Sequence, residues 1–182
     1  MGFQVEDGTG RGHRARVTDK NMLSTYSIIK TEIAYESEHN GRAYTWTATQ
    51  NWGADKNVLW MRNDSVNQEL HIERIAISCP AACLVQFFVG EGNTVGGVEV
   101  IGTNLNLASG NLADVTCRYS NTNVDGGTGM TLLGTVYAPA LSTVSIEFLG
   151  TLLLPLNTEI AVNFVTDVDS SSVNLTGYFH HE

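Results

Sequence analysis

This chain has little charge, little proline and no long apolar run. Asp, Glu, Lys and Arg make up only 16% of its 182 residues, against roughly 25% in an average globular domain. A sequence this poor in Lys and Glu has few residues suited to exposed helix faces, which argues against a helical protein. It also lacks the charge that keeps an isolated monomer's surface wet, and so hints at surface covered by a partner. No apolar stretch approaches the roughly 18 residues that a membrane span requires. No apolar segment follows Met1 as a secretory leader would demand. The expectation is a soluble chain made in a cytoplasm.

Cysteine is scarce too. Cys79, Cys83 and Cys117 form an odd set, two of them inside apolar runs, which suits reduced core thiols better than a disulfide framework. The Cys79-x3-Cys83 spacing falls within the zinc range, but no second pair of ligands accompanies it. Without a secretory context, the sequons at Asn63-Asp64-Ser65 and Asn174-Leu175-Thr176 are coincidences of composition.

Catalytic signatures are missing as well. His13, His39, His71, His180 and His181 are scattered, with no nucleophile elbow or cysteine–histidine signature beside them. Asp167 and Asp169 lack the glycine and terminal glutamate of an EF-hand, and they fit an exposed turn. Paired carboxylates such as Glu36 and Glu38 lie where turns are expected. The sequence therefore predicts no enzyme, no cofactor and no metal.

Charge is unevenly spread. The formal net charge is −9, yet residues 1–20 hold four basic and three acidic residues, while residues 75–182 hold one base, Arg118, against nine acids. An acidic body argues against broad nucleic-acid binding, which needs a basic face to displace counterions.

What is present is a succession of short β-type runs. SIIKTEIAYE (27–36), RAYTWTAT (42–49), KNVLWMRN (56–63), ELHIERIAIS (69–78) and ACLVQFFVG (82–90) come first. A phase shift near Glu73–Arg74 suggests a bulge. Residues 91–129 carry eight glycines and read as long connections, with strands within VEVIGTNLNL and ADVTCRYS. MTLLGTVYAP, STVSIEFLGT, TEIAVNFVTD and SVNLTGYFHH close the chain. Eight to ten strands without intervening helices predict an all-β, antiparallel β-sandwich of jelly-roll type over residues 27–182. Trp46 and Trp60 read as core; Trp52, beside Asn51 and Gly53, reads as the exposed tryptophan, a contact for a sugar or a neighbouring subunit.

Residues 1–26 read as an extended N-terminal arm. DGTGRGHRARVTDKNMLSTYS places Arg11, His13, Arg14, Arg16 and Lys20 before the apolar Met22, Leu23 and Tyr26. Its glycine spacing is G-x-G-x-G with no preceding strand, which matches neither a dinucleotide fingerprint nor a P-loop. Arginine donors for carboxylates and apolar pegs for pockets instead suit an arm that lies across a protein partner.

ARVTDKNMLSTYS, GRAYTWTAT, GTNLNLASGNLADVT and TEIAVNFVTD…VNLTGYF together resemble small β-sandwich virion proteins of tailed bacteriophages, those that decorate or cement capsids or form head fibres and tail-associated parts. The resemblance implies a non-enzymatic assembly role in the virion, commonly as a homotrimer, bound to a major capsid or other virion protein. It implies neither a nucleic-acid nor a membrane partner. The rival expectation is a carbohydrate-binding or receptor-binding module that uses Trp52, Tyr119 and the 91–129 loops.

Overall fold

The computed structural model describes residues 16–17, 23–24, 31–52, 56–90, 96–120 and 130–180. The chain divides into two units, Met1–Lys30 and Thr31–Glu182, so the boundary falls four residues beyond the expected end of the arm at Tyr26. In the first unit, β1 (Arg16–Val17) pairs antiparallel with β2 (Leu23–Ser24).

The second unit opens with the helix α1 (Glu32–Tyr35), which runs into a π-type turn at Glu36–Asn40. The strand expected over 27–36 is corrected here for its described part, which is helical. Ile33 and Tyr35 do stand two apart as strand residues would, but the residue between them is Ala34 and those flanking them are Glu32 and Glu36, and Glu and Ala are good helix formers. Gly41 ends the helical stretch in the left-handed region at φ 60, as helix-terminating glycines commonly do.

Eleven strands follow among the described residues: β3 (Ala43–Trp52), β4 (Lys56–Asn63), β5 (Glu69–Cys79), β6 (Cys83–Gly90), β7 (Val98–Glu99), β8 (Thr103–Asn104), β9 (Val115–Tyr119), β10 (Met130–Ala138), β11 (Ser142–Leu154), β12 (Glu159–Phe164) and β13 (Val168–His180). They form a five-stranded sheet, β11-β5-β13-β3-β8, and a six-stranded sheet, β10-β6-β12-β4-β9-β7. Every pairing is antiparallel. Among the eight long strands, the first pairs with the last (β3 with β13), then β4 with β12, β5 with β11 and β6 with β10. A long hairpin folded over itself into two layers gives this order.

The core lies between the sheets. Trp46, Leu70, Ile72, Ile75, Ile77 and Leu175 meet Leu59, Met61, Val85, Phe87, Ile160, Val162 and Phe164. Full burial of each such side chain stabilises the fold by about 1.5–3 kcal/mol. In β5 the inward series changes from Leu70 and Ile72 to Ile75 and Ile77, and the shift is a bulge. Thr176 lies opposite Arg74 but Gly177 opposite Ile72, leaving Glu73 as the extra residue. Position 177 has to be glycine, because a Cβ there would stand 2.6 Å from the His71 carbonyl oxygen.

One buried side chain ties the strand ends together. Asn63, fully buried, donates through Nδ2 to the carbonyls of Gln68 and Leu154 at 2.9 and 2.8 Å and accepts from the Ser65 amide at 2.9 Å. Its sequon is thus a structural corner. Cys79 and Cys83 face each other across the β5–β6 turn with sulfurs 3.2 Å apart, and Cys117 is buried alone. Burial pushes the Cys83 thiol up to about 12, helped by the bond to Cys79, and raises the Cys117 thiol further.

Candidate interaction surfaces

The first surface is the edge of the sandwich where β10 and β11 lie. These are the terminal strands of the two sheets, joined by the short turn at Pro139–Leu141. The intervening sequence, residues 130–154, has a single charged side chain, Glu147. The inward-facing Val136 of β10 and Val144, Ile146, Phe148 and Leu152 of β11 are only half-buried, so the apolar interior reaches the surface here. On the flank formed by the six-stranded sheet stand Leu132 and Tyr137, the latter beside Leu84 of β6; on the flank formed by the five-stranded sheet stands Leu153, opposite His71. Leu133 and Leu149 lie where the two edge strands lose register. Leu132 is 49% and Tyr137 59% exposed.

Two leucines on this edge break a local rule. Leu141 has φ 55 and is 88% exposed; Leu149 has φ 51 and is 75% exposed. A Cβ in the left-handed region costs on the order of 1–2 kcal/mol, which is why Gly, Asn or Asp usually fills it. The Leu141 amide donates to the Cys79 carbonyl at 2.9 Å, a bond that any residue could make, and at 88% and 75% exposure neither leucine side chain is buried among the described residues.

The edge also carries two bulges, between Leu132 and Gly134 of β10 and between Glu147 and Leu152 of β11. Bulges obstruct the addition of another strand to an open edge. Contact with this surface therefore runs through side chains.

The second surface is the connection over residues 101–112. Its backbone is held from several directions. Asn104 Nδ2 donates to the Gly41 and Asn111 carbonyls at 2.8 and 3.1 Å, and Asn111 Nδ2 donates to the Asn40 carbonyl at 3.0 Å. Asn104 and Asn106 each accept the amide two residues ahead. Gly102 stacks so closely on Trp46 that an added Cβ would meet the indole at 2.6 Å. From this pinned scaffold project Leu107 at 88% and Leu112 at 82% exposure, with Ile101. Rigid apolar pegs of this kind lose little entropy on binding.

The third feature is a cluster on the outer face of the five-stranded sheet. His71 of β5 and Tyr178 of β13 are register partners, stacked with ring centroids 4.9 Å apart. His180 lies 5.6 Å from His71, and its Nδ1 is 2.9 Å from Glu32 of α1. Burial, and then the neighbouring His180, hold His71 below the ordinary histidine value. Burial followed by Glu32, Glu73 and Glu36 pushes the Tyr178 hydroxyl up to about 12. Among the described residues no three His, Cys, Asp or Glu side chains are placed to hold a metal ion.

The outer face of the six-stranded sheet carries a cross-strand row of Leu132, Phe88, Ala161, Trp60 and Arg118. Trp60 is buried, packed by Phe88 and Met130. Its Nε1 donates to Glu159, and the Arg62 guanidinium lies 5.5 Å from its ring.

Of the residues expected to bind partners, Arg16 and Leu23 fall in the β1–β2 hairpin, where Arg16 pairs with Ser24 and Leu23 with Val17. Arg11, His13, Arg14, Lys20, Met22 and Tyr26 lie outside the described residues. Trp52 ends β3 opposite Val168 instead of standing in a turn, and its side chain also lies outside the description. Tyr119, on β9, is half-buried against the core. Sequence reasoning did not find the β10–β11 edge, although one charge in 25 residues was a readable signal. The His71–His180–Glu32 grouping had none, since its members come together only through the β5–β13 pairing and the helix.

Comparison with protein-family models, with curated proteins and with solved structures finds no match for this chain.

Proposed function

We propose that this protein is a non-enzymatic structural component of a tailed-bacteriophage virion, a homo-oligomer that decorates and stabilises the capsid. The observation that carries the assembly role is the kind of surface the sandwich presents. Its exposed large apolar side chains gather on the β10–β11 edge and on the pinned 101–112 connection, in a chain with unusually few charges. Contiguous exposed apolar surface on a stable domain marks contact with other macromolecules. The resemblance of the arm and strand motifs to virion proteins is what points to a bacteriophage particle.

In this reading, the oligomer presents several copies of the basic arm, and several modest contacts add up to tight retention on the particle. Arg11, Arg14 and Arg16 pair with carboxylates of the shell, while Met22, Leu23 and Tyr26 fill apolar pockets. The test is particle imaging with the protein supplied to virions that lack it. The full chain is expected to bind at regular surface positions. A chain without residues 1–20 is expected to keep its β-sheet circular dichroism and to leave the particles bare. Full occupancy by the shortened chain would remove the arm from the mechanism, and no occupancy by the full chain would overturn the reading.

A further inference from the structure

We infer that the β10–β11 edge is the surface through which copies of this chain join one another. The inference rests on the homo-oligomeric reading above and assigns it a place and a set of residues.

Charge argues for a second copy as the occupant. With a net charge of −9, two copies repel each other over most possible approaches, and like charges brought together at an interface are strongly disfavoured. Residues 130–154 offer 25 positions with only Glu147 ionised, so two copies can meet here without setting carboxylates against each other. An arginine-rich or lysine-rich partner would gain nothing from this strip. The strip lacks the acidic groups that such a partner would seek.

Size agrees. Summed over both flanks of the edge, the exposed parts of Leu84, Leu132, Leu133, Tyr137, Leu149 and Leu153 amount to on the order of 500 Å² of apolar surface, against about 800 Å² that each partner contributes to a standard interface. A neighbour therefore has to embrace the edge from both sides. Leu141 and the half-buried Val136, Val144, Ile146, Phe148 and Leu152 supply more. The bulges in both strands direct the contact towards side-chain packing over the opening between the sheets, and away from a continuous intermolecular sheet.

Strain is the independent observation. Leu141 and Leu149 hold exposed apolar side chains on left-handed backbone, a conformation in which asparagine or glycine would suit the isolated chain better. Residues that break a local rule without a compensating gain inside the molecule mark sites of function. A neighbouring copy that covers both leucines supplies the missing gain.

That strain also provides a test that does not threaten the fold. In Leu141→Asn/Leu149→Asn the backbone is relieved, so the thermal midpoint of the separated subunit should hold or rise, while self-association weakens at least 100-fold. The full chain, followed by light scattering across a concentration series, is expected above its monomer mass of 19.7 kDa. The double variant should return to that mass at concentrations where the full chain stays assembled. A second variant, Tyr137→Lys, should do the same by placing an unpaired charge in the buried strip. Val66→Lys, at an exposed apolar position between β4 and β5 and away from both apolar surfaces, should leave the mass unchanged.

A full chain that is monomeric throughout the series overturns the inference. So does an edge variant that keeps the full chain's mass, in which case the homo-oligomeric reading survives with another interface. Assembly through the edge in a protein that binds no particle would leave this inference standing and overturn the virion role.

Discussion

Asn63 shows how much one residue's environment adds to its letter. In the sequence it is the first member of a sequon between a strand and a turn. In the fold its amide closes three hydrogen bonds in a fully buried corner, and its own backbone amide and carbonyl bond Thr158 and Asn157. Asn63→Ala leaves the Leu154 carbonyl and the Ser65 amide unpaired in the buried corner and removes the partner of the part-buried Gln68 carbonyl. The expected loss is about 3 kcal/mol, since each buried unsatisfied group costs roughly 1–3, and urea unfolding measures it. A loss below about 1 kcal/mol would mean that the corner is held by the strands alone. Glu73 is the opposite case. Its role as a bulge was readable, because the change of hydrophobic phase between Ile72 and Ile75 leaves no other way to keep both inside. Asn63 had no such signal, since its partners come from residues as far apart in the chain as Leu154.

The elements that cover the sheet faces were the hardest to read. The described part of the expected strand over 27–36 is a short helix and π-type turn, because a window of a few residues cannot separate a period of 2 from one of 3.6. The tertiary setting decides it. The helical stretch packs on β3 and β13, where it hides Ala43 and Tyr178 on the outer face of the sheet. That placement makes the covered patch sensitive to acid. The groups facing His71 are His180 and Tyr178 from β13, Glu69 from its own strand, Glu32 from α1 and the Gly150 backbone of β11. His71 titrates below its unfolded value, so the unfolded chain binds the proton more readily. Its contribution to stability is therefore complete above the unfolded value near 6.5 and is lost as the pH falls through the lowered folded value. The thermal midpoint should drop between pH 7.5 and pH 5, and His71→Phe, which keeps the stacking on Tyr178, should make that drop smaller. An equal drop in the variant would assign the acid sensitivity to other groups.

At the scale of the molecule, the all-β antiparallel sandwich was legible from the count of apolar runs, the turn residues between them and the lack of helix-face residues. β10 and β12 fall within the runs that the alternation marked, β11 runs on past its run to Leu154, and β13 begins ahead of its run, at Val168. Which strands stand at the edges was not legible, because that depends on pairings between distant parts of the chain. The candidate surface was hidden for the same reason. Residues 130–154 announce a lack of charge, but only the sheet order shows that β10 and β11 come to one edge and leave their apolar side chains uncovered.

The pairing of first strand with last has a consequence in time. Thr45 bonds the carbonyl of Leu175 across 130 residues of sequence, and β13 sits in the middle of its sheet, between β5 and β3. A growing chain can therefore not complete the five-stranded layer until β13 has left the ribosome, and contacts so distant in sequence form slowly. A chain ended at Asp167 should show little protease resistance and no cooperative thermal transition, although it keeps most of the core residues. Native-like resistance in that fragment would mean that the sandwich closes without its central strand. Otherwise a translation product that stops before β13 leaves β5 and β3 without the strand that joins them, and its five-stranded sheet is never finished.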